Sequence, residues 1–194
     1  MTDRFDAADR PALIAELIER LSRLVRAQAH DTALNPAQWD ALRYLERCNR
    51  FSNTPGALAR YLAATKGTVS QTLNALERKG LVARQDDPLS GRVVRLALTR
   101  AGRSALNRDP LQPLARAAAS LAGGETRRIA EGLLAMLSDL QRANGQRPFG
   151  VCRTCRHFRK DADGGNPHFC ALLRERLSEH DAGRICAEHE PVAA

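Results

Sequence analysis

Apolar residues recur at three- and four-residue steps between Pro11 and His30, at Ile14, Leu17, Leu21, Leu24 and Val25. This predicts an amphipathic helix entered at a proline suited to its first turn. A second helical period opens at Asn35-Pro36, a capping residue followed by proline at the first helical position, and puts Trp39, Leu42, Leu45 and Cys48 on one face. Pro55 to Ala63 predicts a short third helix. A fourth begins after Thr65, carries Val69, Leu73 and Leu76 as its inner stripe, and stops at Gly80. The period then falls to two. Leu81–Gln85 and Arg92–Thr99 alternate, with Val94, Leu96 and Leu98 on one side, and the turn-forming stretch DDPLSG between them predicts a hairpin. Helical spacing resumes after Thr99 in two further segments broken near Gly123-Gly124, the last with Ile129, Leu133, Met136 and Leu140 on a heptad-like seam. Asn144–Gly150 reads as a linker, and the tail beyond it has too few aliphatic residues to bury much core of its own.

Composition narrows the class. A chain of 194 residues, 43% hydrophobic and 27% charged, has the make-up of a soluble globular protein. No apolar run is long enough for a membrane span, and the polar start MTDRFDAADRP lacks the hydrophobic region of a secretory signal. A cytoplasmic location is expected, and structural disulfides are rare there. The net charge is +8, and residues 60–103 alone hold nine Lys/Arg against three Asp/Glu. A basic excess focused in one stretch is the electrostatic footprint of a polyanion binder.

Helix, tight connection, helix and hairpin, in that order, make a winged helix-turn-helix. The expected fold class is therefore mainly α, an α+β winged helix with a two-stranded wing. The second helix of such a unit fits the major groove of double-stranded DNA, and the hairpin reaches the neighbouring minor groove or backbone. With Val69, Leu73 and Leu76 turned inward, the outer face of the fourth helix shows Lys66, Thr68, Ser70, Gln71, Asn74 and Arg78. The short polar and amide side chains suit base edges, and Lys66 and Arg78 suit phosphates. Arg92 stands near the hairpin tip, where a guanidinium can enter a minor groove.

The stretch Thr68–Gly102 resembles the recognition helix and wing of MarR-type transcriptional regulators. The matching positions are Thr68-Val69-Ser70, Leu76-Glu77, Gly80-Leu81-Val82, Arg84, Asp87-Pro88, Arg92, Leu98-Thr99 and Gly102. Ser90 stands where the family usually has an acidic residue and Gly91 where it often has a basic one. The resemblance spans about residues 10–145. It implies a homodimer joined through its first and last helices (11–31 and 104–144), with the DNA-binding unit at 35–103. It also implies a repressor that binds pseudo-palindromic promoter sites and lets go when a small-molecule effector or oxidant acts on the dimer. On this reading the chain is not an enzyme.

Residues 146–194 stand apart. Four of the five cysteines, Cys152, Cys155, Cys170 and Cys186, fall there as C-x2-C-x14-C-x15-C, whereas Cys48 lies on the apolar side of a helix. Four thiolates can complete a tetrahedral metal site, and metal binding supplies folding free energy to a segment short of core. The spacing leaves open a structural Zn2+, an iron–sulfur (4Fe-4S) cluster, thiol–disulfide switching, or no shared site. His157, His168 and His189 are expected at the surface, although each is close enough in sequence to replace a cysteine ligand. The competing function is a CxxC thiol–disulfide redox protein carrying a winged-helix interaction module.

Overall fold

A computed structural model describes residues 9–29, 33–87, 90–162 and 168–192. The chain forms α1 (Arg10–Ala29), α2 (Pro36–Arg47), α3 (Pro55–Tyr61), α4 (Lys66–Arg78), β1 (Val82–Asp87), β2 (Ser90–Leu98), α5 (Arg100–Leu106), α6 (Gln112–Ala119) and α7 (Gly123–Ala143). The first four helices and the hairpin are the expected elements, with ends moved by a few residues, whereas the stretch after Thr99, expected as two helices broken near Gly123-Gly124, forms three, and Gly123 opens the last of them. The reasons are local. Asn35 caps α2 in a full capping box with Gln38, and Thr54, Thr65 and Thr99 cap α3, α4 and α5 through their hydroxyls. Gly80 ends the turn after α4 with a φ of +65°, a conformation that favours glycine. The wing is longer than its alternation predicts, because β1 and β2 pair antiparallel from Val82↔Leu98 to Asp87↔Ser90, with a register shift after Asp86. Among the described residues no helix is long and apolar enough to cross a membrane.

The core sits where α2, α3, α4 and the wing meet. Leu42, Tyr44, Leu58, Leu73 and Leu76 are fully buried, with Trp39, Val69, Val82 and Leu96 beside them. Cys48 is buried in the same cluster, as its place on an apolar helix face predicts, and burial pushes its thiol up to about 11. Outside this core, α1 and α7 are long helices with no buried side chain among their described residues. Ile14, Leu17, Ile18, Leu21 and Leu24 of α1 and Ile129, Leu133, Leu134, Leu137 and Leu140 of α7 are exposed.

The tail departs from the picture of a linker followed by an appendage. It forms short elements: β3 (Gly150–Val151), a 3-10 turn (Cys152–Thr154), β4 (Phe158–Arg159), β5 (His168–Cys170), β6 (Glu175–Leu177), α8 (Glu179–Ala182) and β7 (Ile185–Cys186). β3 pairs with β7, and β4, β5 and β6 make a small antiparallel sheet. The scarcity of aliphatics is met by borrowing. Ile185 and Ala187 are buried in the winged-helix core, Phe149 packs against it, and Ile185 bridges to Cys48 as a parallel strand partner. Phe149 stands edge-on to Tyr61, ring centroids 5.1 Å apart.

Candidate DNA interface and cysteine pocket

The fold puts Lys66, Thr68, Ser70, Gln71, Asn74 and Arg78 on the exposed side of α4, opposite buried Val69, Leu73 and Leu76. Two of the six have further duties. The Thr68 hydroxyl is 2.9 Å from that of Thr65, so it is part of the helix cap. Asn74 accepts a hydrogen bond from Arg84 of β1 at 2.7 Å, which leaves its NH2 group as the free edge. Arg84 also pairs with Glu77 at 2.8 Å, so one guanidinium braces the wing against α4. Arg92 lies within β2, but its side chain and Pro88 fall outside the described residues.

A second arginine of the wing was not singled out by its sequence context. Arg95 pairs with Asp87 at 2.6 Å and donates to the carbonyls of Arg50 at 3.1 Å and Phe51 at 3.0 Å. Its neighbour Leu96 exchanges hydrogen bonds with Asn53: Leu96 N–H donates to the Asn53 carbonyl at 2.7 Å, and Asn53 Nδ2 donates to the Leu96 carbonyl at 3.0 Å. The wing is thus hung from the turn between α2 and α3.

The same turn forms a wall of the cysteine region. Pairing of Gly150 with Cys186 in β3–β7 sets Cys186 beside the CxxC turn, and pairing of Phe158 with Cys170 in β4–β5 brings in the fourth cysteine. All four are buried and line one small cavity of about 10 Å3 with His157, Phe158, Leu173, Leu177 and Glu188. Cys152 and Cys186 are neighbours on this cavity. Cys186 is drawn down to about 6 by its hydrogen bond with Cys152, helped by the Glu188 backbone N–H, Asn49 and Ser52, while burial opposes the shift. Cys152 is pushed up by the same partner and by burial. Asn49 Nδ2 donates to Cys152 Sγ at 3.3 Å.

As the side chains stand, no set of three or more His, Cys, Asp or Glu among the described residues is gathered so as to hold a metal ion. By type, the lining donors would suit a thiophilic cation: four thiols face one cavity, with an N–H donor to sulfur from outside the set. The histidines do not lie at the surface as expected. His168 is 5% exposed, with Nε2 2.6 Å from Glu179, and His189 is 9% exposed, with Nε2 3.0 Å from the Thr154 hydroxyl. His157 lines the cavity, and its buried Nε2 makes no aligned hydrogen bond although Glu190 is 3.2 Å away. Sequence spacing found the four cysteines but not Asn49 and Ser52, whose contacts span more than a hundred residues.

Residues 34–93 match the family model described as MarR family. No curated protein matches the chain. Among solved structures, S. aureus MepR in its DNA-binding conformation is similar at 24% identity and a TM-score of 0.58, covering 68% of this chain and 98% of its own. FabT of Streptococcus pneumoniae, in complex with DNA, is similar at 20% identity and a TM-score of 0.55, covering 71% and 99%. A MarR family protein from Bacillus stearothermophilus gives 23% and 0.54, covering 69% and 94%. These likenesses establish the fold. About three-tenths of this chain lies outside each of them.

Proposed function

We propose that the protein is a MarR-type, homodimeric, DNA-binding transcription regulator, acting as a cytoplasmic repressor at pseudo-palindromic duplex sites, with a metal centre in its cysteine pocket. The observation that carries the reading is the outer face of α4. Six polar or basic side chains stand exposed on one helix, braced to a wing by Arg84, within the most basic part of the chain. The MarR family comprises transcription regulators and not enzymes, and MepR and FabT supply the precedent of DNA engagement on this fold. The bare apolar faces of α1 and α7 support a dimer, since long amphipathic helices are stable in water when those faces are covered. A small apolar effector has a cleft of about 430 Å3 between α1, α2, α6 and α7, lined by Ile18, Leu21, Trp39, Leu114 and Leu133.

In this reading the cysteine pocket serves the fold and not turnover. Cys152, Cys155, Cys170 and Cys186 would hold the metal, which contributes binding free energy to a tail with little core. Asn49 orients Cys152 and favours its charged form.

Selection of bound sequences from random duplexes tests the DNA assignment. A two-fold-related pair of half-sites is the expected product. Gln71→Ala is expected to relax preference at one base pair per half-site by about 1–3 kcal/mol. Lys66→Ala is expected to weaken binding to all sequences and to flatten the salt dependence. If both variants select and bind DNA like the parent chain, α4 does not enter the groove.

A further inference from the structure

The turn of residues 49–53 belongs to two structures at once. On one side it touches the cysteine pocket. Asn49 Nδ2 donates to Cys152 Sγ at 3.3 Å, Ala187 N–H donates to Ser52 Oγ at 2.8 Å, and Asn49 N–H donates to the Ile185 carbonyl at 2.9 Å. On the other side it carries the wing, through Arg95 on the carbonyls of Arg50 and Phe51 and through the reciprocal pair of Asn53 and Leu96. The Asn49 carboxamide joins the two sides. Its Oδ1 accepts from the N–H groups of Phe51 at 3.1 Å and Ser52 at 2.9 Å, so the amide that reaches the sulfur also sets the shape of the turn. A second tie runs through Glu188, which lines the pocket and pairs with Arg60 of α3 at 2.8 Å.

We propose that the cysteine pocket is a regulatory site for DNA binding, in which closure of Cys152, Cys155, Cys170 and Cys186 on one Zn2+ fixes the 49–53 turn and thereby holds the wing in its DNA-binding position. The inference rests on the reading of these cysteines as metal ligands and adds the consequence of loading them. Each thiol that ligates gives its proton to solvent, and no electron is transferred. A neutral thiol is a weak acceptor for the Asn49 amide. A metal-bound thiolate is a charge-assisted one, so loading strengthens the contact that orders the turn. By linkage, whatever loading adds to the DNA-competent arrangement, DNA adds to metal affinity.

The test uses the full chain purified without oxygen, as isolated, after chelation and after addition of zinc. Metal content and absorption near 400 nm are measured first. Amide exchange in residues 49–53 and 90–98 and affinity for a duplex selected from random DNA follow. The expected result is one zinc per chain, slower exchange in both segments on loading, and about tenfold tighter DNA binding by the loaded form. Cys155→Ser with Cys170→Ser leaves the Asn49 contacts in place, and this variant is expected to behave as the chelated protein whatever zinc is added. Asn49→Asp keeps the acceptor for Phe51 and Ser52 but loses the donor to sulfur, and should bind zinc 10–100-fold more weakly without unfolding the turn. Zinc bound with exchange and DNA affinity unchanged would overturn the coupling and leave the metal reading standing. No metal uptake, or a Cys152–Cys186 disulfide as the resting form, would overturn both. A brown cluster in place of zinc would overturn the choice of cation. Exchange that responds to zinc in a chain that binds no duplex would retain the coupling and sink the DNA assignment.

Discussion

Gly102 lies in the first turn of α5, and a Cβ built on it would stand 2.1 Å from the Leu81 carbonyl oxygen. That oxygen cannot retreat easily, because it accepts the Thr99 N–H at 3.0 Å, and Thr99 in turn caps α5 by accepting from the Gly102 N–H. The glycine of the Leu-Thr-x-x-Gly string is therefore a demand for close approach between the end of the wing and the start of α5. Gly102→Ala is expected to destabilise the fold by about 3 kcal/mol, the upper part of the range for overpacking. A fall in the denaturant midpoint at unchanged slope would show it, and stability equal to the parent would mean that the two segments part freely. At this scale the sequence was an uneven guide. Caps such as Asn35, Thr65 and Thr99 declare themselves through neighbours three residues away. Asn49 does not, because its partner Cys152 is 103 positions distant and nothing in the local string CNRFSN marks it as a support for sulfur.

At the scale of elements, α4 and the two outer helices raise opposite questions. The inner stripe of α4 is covered by its own chain, and its outer face is polar. α1 and α7 show the same periodicity, but their apolar stripes stay largely exposed among the described residues of one subunit. Periodicity alone reveals such a stripe and cannot say which surface will cover it. Leu137 and Leu140, 52% and 61% exposed, separate a subunit contact from an internal one. Leu137→Glu with Leu140→Glu should leave the winged-helix core folded, since neither side chain belongs to it, while halving the mass that the proposed dimer shows in sedimentation. The monomer would then grip one half-site at a time, and affinity for a two-fold site should fall by about 100-fold or more as the gain from joint engagement disappears. A doubly charged variant that still sediments as a dimer would place the interface elsewhere.

The whole molecule turns on whether the tail is an accessory or a part of the core. Its sequence suggested an appendage after a linker, because residues 146–194 are poor in aliphatics and carry four cysteines. The segment does not stand alone, because part of its small apolar set packs into the winged helix and the turn between α2 and α3 helps to close the rest. Phe149 packs with Tyr44 and Tyr61, Ile185 and Ala187 are buried in the main cluster, and the Cys152, Cys170, Leu177 and Cys186 cluster is closed by Phe51 from the α2–α3 turn. Periodic patterning could not reveal this, since it reads neighbours along the chain, whereas these contacts join residues far apart in sequence, 88 positions for Phe149 and Tyr61 and 135 for Ala187 and Ser52. A chain ending at Gly145 should therefore not behave as a free regulator relieved of its tail. Loss of Phe149 and Ile185 from their partners alone removes about 3–5 kcal/mol of apolar burial. For a domain of this size that corresponds to a drop of roughly 10 °C in melting temperature. The bared surface around Cys48 and Tyr61 should bind a hydrophobic dye that the full chain excludes. A truncated protein that melts with the parent and leaves the dye dark would show that the two parts fold independently, and the path from the cysteine pocket to the wing would then lose its physical basis.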